Sequence, residues 1–89
     1  MRTIIFILGP SALPLANRLK GLLFAEVHGP DGVEGINFNY SKATQHLADM
    51  FSAGHRIIGI CAAGILVRAI GPHAKNKHEE PPVIALSED

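Results

Sequence analysis

Arg68 is the residue of this chain whose type and position most clearly suggest chemistry. It is the one charged side chain in a predicted apolar helix that follows a predicted buried strand, within residues 58–72. Arg68 comes four residues after Gly64, so the two share one face of the helix, and helical side chains lean toward the N-terminus. The guanidinium can therefore reach the first turn, where unpaired N–H groups carry a partial positive charge. This arrangement predicts a site for a carboxylate or a phosphate at the C-terminal end of a strand.

Cys61 and the histidines are weaker candidates. Cys61 stands where the strand meets the helix, a place that can activate a thiolate, but a small apolar residue that closes a buried strand is the favoured interpretation. The five histidines lack the spacing of metal ligands, so we predict no metal site. His28 has the best functional claim among them, because it opens a long connection, 28–39, at the C-terminal edge of the predicted sheet. No nucleophile or general base is fixed by the residues, so catalytic residues stay unassigned.

Basic residues surround the end of this predicted helix, namely Arg68, His73, Lys75 and Lys77. Two acidic residues follow directly, so a solvated surface with local ion pairs is the favoured interpretation for the lysines. The alternative is a binding area for a polyanionic small molecule. Arg68 differs from the lysines because an apolar helix should not carry an unpaired charge, and we expect it to have a functional or interface role.

Strands and helices alternate along the chain. Continuous β-branched and apolar runs predict strands at 3–8, 22–27, 56–61 and 83–86. Apolar positions at three-to-four spacing predict a first helix from Ser11, its N-cap, to Gly21, a second at about 41–52, and a third around Arg68. Such alternation predicts a parallel sheet covered by helices. We therefore expect an α/β fold, a small three-layer flavodoxin-like sandwich with about four parallel strands in the order 2-1-3-4 and three helices.

Length and composition exclude several classes of protein. Eighty-nine residues, of which 47% are hydrophobic and 18% charged, predict a single folded domain at 1–89. Eight basic and eight acidic residues cancel, which argues against a nucleic-acid partner. The glycine-rich nucleotide-binding patterns are absent. A single cysteine and the lack of a long apolar segment predict a cytoplasmic protein without membrane contact. Because the chain stops directly after a strand, we expect it to be a truncated N-terminal piece of a longer protein.

The C-terminal half resembles a known family. The stretch Ala62-Ala63-Gly64-Ile65-x-Val67-Arg68-Ala69-Ile70-x-Pro72, then Lys77, then Glu80-Pro81-Pro82-Val83, is similar to the CbiG N-terminal domain of cobalamin (vitamin B12) biosynthesis. That family carries an A-A-G-I-x-V-R-x-x-A-P stretch, a lysine, and a strand beginning acid-Pro-x-Val. The opening strand and the turn at Gly9 also fit. The chain departs from the family pattern at Gly71, His73 and Pro82, where alanine, leucine and alanine are usual.

The resemblance implies a protein that binds corrin intermediates, which are polycarboxylated tetrapyrroles. Stand-alone CbiG proteins are cobalt-precorrin-5A hydrolases, which open a lactone ring. The ending Glu80-Pro81-Pro82-Val83-x-Ala85 is closer to a variant fused ahead of a precorrin-3B C17-methyltransferase. In that variant S-adenosylmethionine belongs to the fused methylase domain, and we expect no cofactor in this segment. The expected substrate-binding residues are Gly9, His28, Ala63, Gly64, Arg68 and Lys77.

Two classes of function stay open. The first is a corrin-precursor-binding or accessory domain without activity of its own, in the N-terminal part of a precorrin-3B C17-methyltransferase or, as a close variant, of a CbiG-type hydrolase. The second is a structural or interaction module, in which the apolar helix and Arg68 contact the missing C-terminal domain or a second copy of the chain in a homodimer.

Overall fold

Five parallel strands form one sheet in the computed structural model, which describes residues 2–74 and 80–88. The strands are β1 (Thr3–Ile7), β2 (Glu26–Pro30), β3 (Phe38–Tyr40), β4 (Arg56–Ile60) and β5 (Val83–Leu86). The helices are α1 (Leu13–Leu23), α2 (Ala43–Ser52) and α3 (Ala63–Ile70), with short 3₁₀ turns at Pro10–Ala12 and Gly71–His73. The strand order is β3-β2-β1-β4-β5.

The predicted α/β class, the three helices and the relative order of the four predicted strands are confirmed. Those four strands are β1, β2, β4 and β5, and their observed order β2-β1-β4-β5 is the predicted 2-1-3-4. The sheet has one strand more than expected, because β3 forms inside the connection at 28–39 and pairs with β2. A strand of three residues is too short to give a recognisable alternation of apolar and polar positions.

Helices cover both faces of the sheet, which makes the three expected layers. Ile5 and Ile7 of β1 point to the face covered by α1, where Ala16 and Val27 join them in one buried cluster. Phe6 points to the opposite face and packs with residues of α2 and α3 in a second cluster. Successive side chains of a strand point to opposite faces, so a central strand covered on both sides needs an unbroken apolar run. Ile4, Ile5, Phe6 and Ile7 supply that run, and each is at most 1% exposed.

Helix α1 is longer than predicted. It passes through Gly21 to Leu23 and ends at Phe24, which has the left-handed backbone (φ 53°) and donates its N–H to the carbonyl of Lys20. The predicted helix end at Gly21 and strand start at residue 22 are therefore wrong. Glycine is the usual residue at such a cap, since it has no Cβ to clash, and here a phenylalanine 95% exposed takes that role.

The start of α1 also differs from the prediction. Ser11 lies within the 3₁₀ turn that Pro10 begins, and the N-cap of α1 is Ala12, without a side-chain hydrogen bond. Pro14 falls in the first turn of α1, as expected of a residue without an N–H group.

The connection after β2 is shorter and better ordered than the long loop expected at 28–39. Residues 28–30 belong to β2 and residues 38–40 to β3, which leaves 31–37 as the loop. Val33 is buried and Ile36 packs against the α1-side cluster. The amide of Asn39 donates to the carbonyls of Pro30 and Val33, at 2.9 and 2.8 Å. These contacts fix the loop against the sheet.

Candidate functional site

The direction of the chain connections changes between β1 and β4. From β1 the chain moves to β2 and β3 on one side, and from β4 it moves to β5 on the other side. The two strands are neighbours and end together, since Ile7 pairs with Ile60. Parallel α/β sheets bind their ligands in the crevice outside the carboxyl ends of the strands at such a switch point. The topology therefore places the candidate site just after Ile7 and Ile60.

Three of the predicted binding residues lie at this edge. Gly9 follows the end of β1 by two residues and is half-buried, and Ala63 and Gly64 are the exposed first residues of α3. Neither glycine has an atom within 4 Å of where a Cβ would stand. The backbone at this edge is thus open to a ligand, and Gly9, Ala63 and Gly64 lie together at the carboxyl edge of the sheet.

An open cavity of about 400 Å³ lies where β4 and β5 end, lined by Cys61, Ala62, Leu86, Ser87 and Glu88 among others. It adjoins the N-terminus of α3, for which Ala62 is the extended N-cap residue (φ −65°, ψ 139°). Glu88 adds a carboxylate to the same cavity, so the charge in it is mixed. A ligand here would meet helix N–H groups on one side and an acidic side chain on the other.

The structure confirms that Arg68 reaches back toward the start of α3. Its side chain is exposed, and Nε–H donates to the carbonyl of Gly64 at 3.3 Å. The guanidinium therefore lies along the exposed face of α3 and outside the lining of the 400 Å³ cavity. Beside it, the exposed Val67 lines a second, largely apolar cavity of about 420 Å³ between α3 and β5.

Of the other predicted binding residues, one lies outside the described residues and one lies elsewhere in the fold. Lys77 falls outside the described residues, as does Lys75. The sequence predicted that His28 opens a loop. The structure instead places it in the middle of β2, where it is 3% exposed. Its Nδ1 is 2.7 Å from Nε2 of His46, and its Nε2 is 3.0 Å from Oε1 of Glu26. Since protein groups hold both ring nitrogens, His28 has no nitrogen free to contact a ligand.

No sequence pattern indicated the partners of His28. His46 lies on α2, eighteen residues further along the chain, and only the packing of α2 on β2 brings the two rings together. Burial lowers the pKa of His46 and the nearby charge of His28 lowers it further, against a smaller raising effect of Asp49. Hydrogen bonds from His28 and then from Arg2 lower the pKa of the Glu26 carboxyl.

Tyr40 was also missed by the sequence reasoning. Its hydroxyl donates to the carbonyl of Ile7 at 2.8 Å, at the end of β1 next to the switch point. Burial raises the pKa of Tyr40 to about 12, and Cys61 adds to this rise. Burial also raises the pKa of Cys61. A thiol with a raised pKa stays protonated near neutral pH, which supports the interpretation of Cys61 as a packing residue.

Comparison with protein families finds a match over the C-terminal half of the chain. The model of the family described as cobalamin synthesis G N-terminal matches residues 45–89, which is 45 of the 89 positions. The chain belongs to the cobalamin synthesis G N-terminal family. This family implies a domain of cobalamin biosynthesis. The match includes the whole of β4, α3 and β5, and with them the motif that carried the resemblance.

Neither the curated proteins nor the solved structures gave a match. Within residues 2–74 and 80–88, none of the helices has the length and apolar character needed to cross a bilayer. In the same residues, no group of three or more His, Cys, Asp or Glu side chains is arranged to hold a metal ion.

Proposed function

We propose that this chain is a corrin-precursor-binding or accessory domain, in the N-terminal part of a precorrin-3B C17-methyltransferase. The observation that carries the proposal is the exposed Arg68 on the apolar helix α3, at the carboxyl edge of the sheet where α/β folds bind ligands. Membership of the family supports the pathway. S-adenosylmethionine would bind to the fused methylase domain.

The chemistry of a corrin intermediate matches the surface of α3. Such a molecule is a broad apolar macrocycle with carboxylates around its rim. Val67, 67% exposed, and the apolar cavity beside it offer a surface for the ring. Arg68, the next residue, can hold a rim carboxylate through two parallel hydrogen bonds, which a lysine cannot do.

The small residues of the site would act through their backbone. Gly9, Ala63 and Gly64 have no bulky side chain at this edge, so a ring can approach the first turn of α3 closely. The free N–H groups of that turn favour a second carboxylate. Lys77 stays a predicted partner for another carboxylate. His28 would act at most indirectly, because its ring is buried.

Titration of the 89-residue chain with hydrogenobyrinic acid, a stable corrin, tests the proposal. We expect Arg68→Ala to raise the dissociation constant roughly tenfold, since a hydrogen bond to a charged group contributes about 1.5 kcal/mol at the low end of its range and Arg68 is exposed. Arg18→Ala is the matched control, because Arg18 is an exposed arginine on α1, across the sheet. Equal affinity of the Arg68→Ala and unsubstituted chains would contradict the proposal.

A structural or interaction module is favoured by a different observation, the exposure of Val67 (67%) and Ile84 (49%) on either side of β5. In that case Arg68→Ala and Val67→Ser should reduce self-association in sedimentation experiments and leave corrin binding unchanged.

Any polypeptide encoded after Asp89 would distinguish the methyltransferase from the hydrolase. A methylase domain with a glycine-rich methyl-donor loop supports the methyltransferase, and a CbiG C-terminal domain supports the hydrolase.

A further inference from the structure

Four ionisable side chains, none of them on α3, form a continuous hydrogen-bonded chain. Nη1 of Arg2 lies 2.9 Å from Oε2 of Glu26. Oε1 of Glu26 lies 3.0 Å from Nε2 of His28, and Nδ1 of His28 lies 2.7 Å from Nε2 of His46. Arg2 is on the surface, whereas the two histidines are 3% and 8% exposed. The chain thus runs from solvent into the protein.

The geometry fixes where the hydrogens lie when both imidazoles are neutral. A carboxylate can only accept, so Nε2 of His28 carries the hydrogen that points to Glu26. Nδ1 of the same ring must then accept, and Nε2 of His46 donates to it. The remaining nitrogen, Nδ1 of His46, carries a free lone pair. The other three ring nitrogens of His28 and His46 each have a partner in this chain of hydrogen bonds, and Nδ1 of His46 does not.

His46 also lines a cleft of about 330 Å³ between β3 and the start of α2. Phe38, 49% exposed, forms one wall, and its ring stacks on His46 with 5.0 Å between centroids. Lys42 and Asp49 are exposed and line the same cleft. The cleft therefore combines a flat aromatic wall, a cation and a buried imidazole, which suit a flat organic acid; the carboxylate that lines it, Asp49, accepts a hydrogen bond from Gln45 at 2.8 Å.

We propose that this cleft binds a flat, weakly acidic organic molecule and that His46 accepts its proton. The O–H bond of the ligand breaks and an N–H bond forms at Nδ1 of His46. The hydrogen on Nε2 of His46 passes to Nδ1 of His28, so the positive charge comes to lie on His28, next to the Glu26 carboxylate. The ligand anion stays in the cleft beside Lys42. His46 is then the proton acceptor, and His28 and Glu26 are positioning residues.

The charges around the pair explain why it accepts one proton and not two. Glu26 faces His28, and Arg2 neutralises part of its charge from the other side. Burial and the nearby charge of His28 lower the pKa of His46, and Asp49 offsets only part of this; Tyr40 and Phe38 contribute only ring faces. A second proton would place two N–H groups against each other at 2.7 Å. The two histidines together therefore bind one added proton. This role does not depend on corrin binding at α3.

The probe for this proposal is 4-nitrophenol, a flat acidic phenol whose ionised form absorbs visible light. We expect the 89-residue chain to increase the ionised fraction of the bound phenol at fixed pH. The expected shift is about tenfold in its ionisation equilibrium, or one pKa unit. His46→Gln should abolish the shift, and His28→Gln should reduce it while the phenol still binds. His73→Gln is the control, because His73 is exposed in the last 3₁₀ turn.

Several results would overturn the proposal. One is an ionised fraction that is the same with the unsubstituted and the His46→Gln chains. Binding of the phenol without any change in its ionisation is another. If His46→Gln does not fold, the nitrogen-15 spectrum of the unsubstituted chain at alkaline pH gives the answer. We expect the Nε2–H form for both His28 and His46, and the Nδ1–H form of either ring would contradict the relay. A Lys42→Gln chain, altered at an exposed position, should bind the phenolate more weakly.

Discussion

The two flanks of the central strand β1 place their polar groups differently. On the β4–β5 flank the charged residues Arg56, Arg68 and Glu88 are exposed, and the contacts between α3 and the sheet are apolar. On the β2–β3 flank a carboxylate, two buried imidazoles and a buried tyrosine are joined to neighbours by hydrogen bonds. The first flank carries the recognisable family motif and offers an open surface. The second carries the hydrogen-bonded network, and no motif marks it.

This difference shows that the segment with a recognisable family motif need not be the segment with a buried hydrogen-bonded network. The family match begins at residue 45, so His46 lies inside it and its partner His28 lies outside. A short motif of small and apolar residues can be recognised because it is contiguous. A relay built from β2 and α2 exists only through their packing, so neither segment alone reveals it.

The largest expected effect tests the packing of the β4–β5 flank. A Cβ on Gly59 would stand 2.9 Å from Cδ2 of Leu66 and 3.1 Å from Sγ of Cys61. We expect Gly59→Val to lower the free energy of unfolding in urea by about 2–3 kcal/mol, the upper range for overpacking a core. Gly64→Val is the matched control, because Gly64 is exposed with open space around it. The close approach of α3 to the sheet is therefore at Gly59 and not at Gly64. Equal losses in both variants would contradict this assignment.

A smaller effect tests the β2–β3 flank at alkaline pH. Tyr40 is the chain's single tyrosine, so the ultraviolet absorbance of tyrosinate reports on one group. We expect ionisation near pH 12 in the folded chain, against 10.0 for a free tyrosine. Because the unfolded chain releases this proton first, the free energy of unfolding should fall as pH rises from 10 toward 12. A titration midpoint near 10 in folded protein would mean that the hydroxyl is not held against Ile7.

The smallest effect concerns the same flank at acid pH. The pKa of His46 lies below its usual 6.5 in the folded chain, so the unfolded chain binds this proton first. Stability is therefore fully present above 6.5 and is lost as pH falls through the lowered pKa. Glu26 adds a second, more acid step, since its pKa is lowered from 4.5 and its stabilisation is lost as pH falls through the lower value.

Urea unfolding across a pH series measures both acid steps. We expect His46→Leu to reduce the first step and to keep the second, because burial also lowers the pKa of His55, which contributes to the first step. His73→Leu should keep both steps. A first step of unchanged size in His46→Leu would show that His46 does not contribute to it.

The sequence predicted most of the fold because its strong signals are local. The run Ile4–Ile7 could only be a strand covered on both faces, and alternation with amphipathic helices required parallel pairing. The errors lie at α1 and β3. Phe24 ends α1 in a conformation that the sequence assigns to Gly21, and β3 is three residues long. At both places contacts with the rest of the molecule outweighed local preference.

The sequence by itself determined the layers, the order of the four longer strands, the approach of Arg68 to Gly64, and the family. Each of these depends on residues that are close in the chain or on a repeating apolar pattern. Only the tertiary structure decided that His28 is buried against His46, that Gly59 is tightly packed, and that the Tyr40 hydroxyl donates to the last residue of β1. Such contacts join distant segments, and their energies depend on burial and on distances of a few ångströms, which no local pattern of residues encodes.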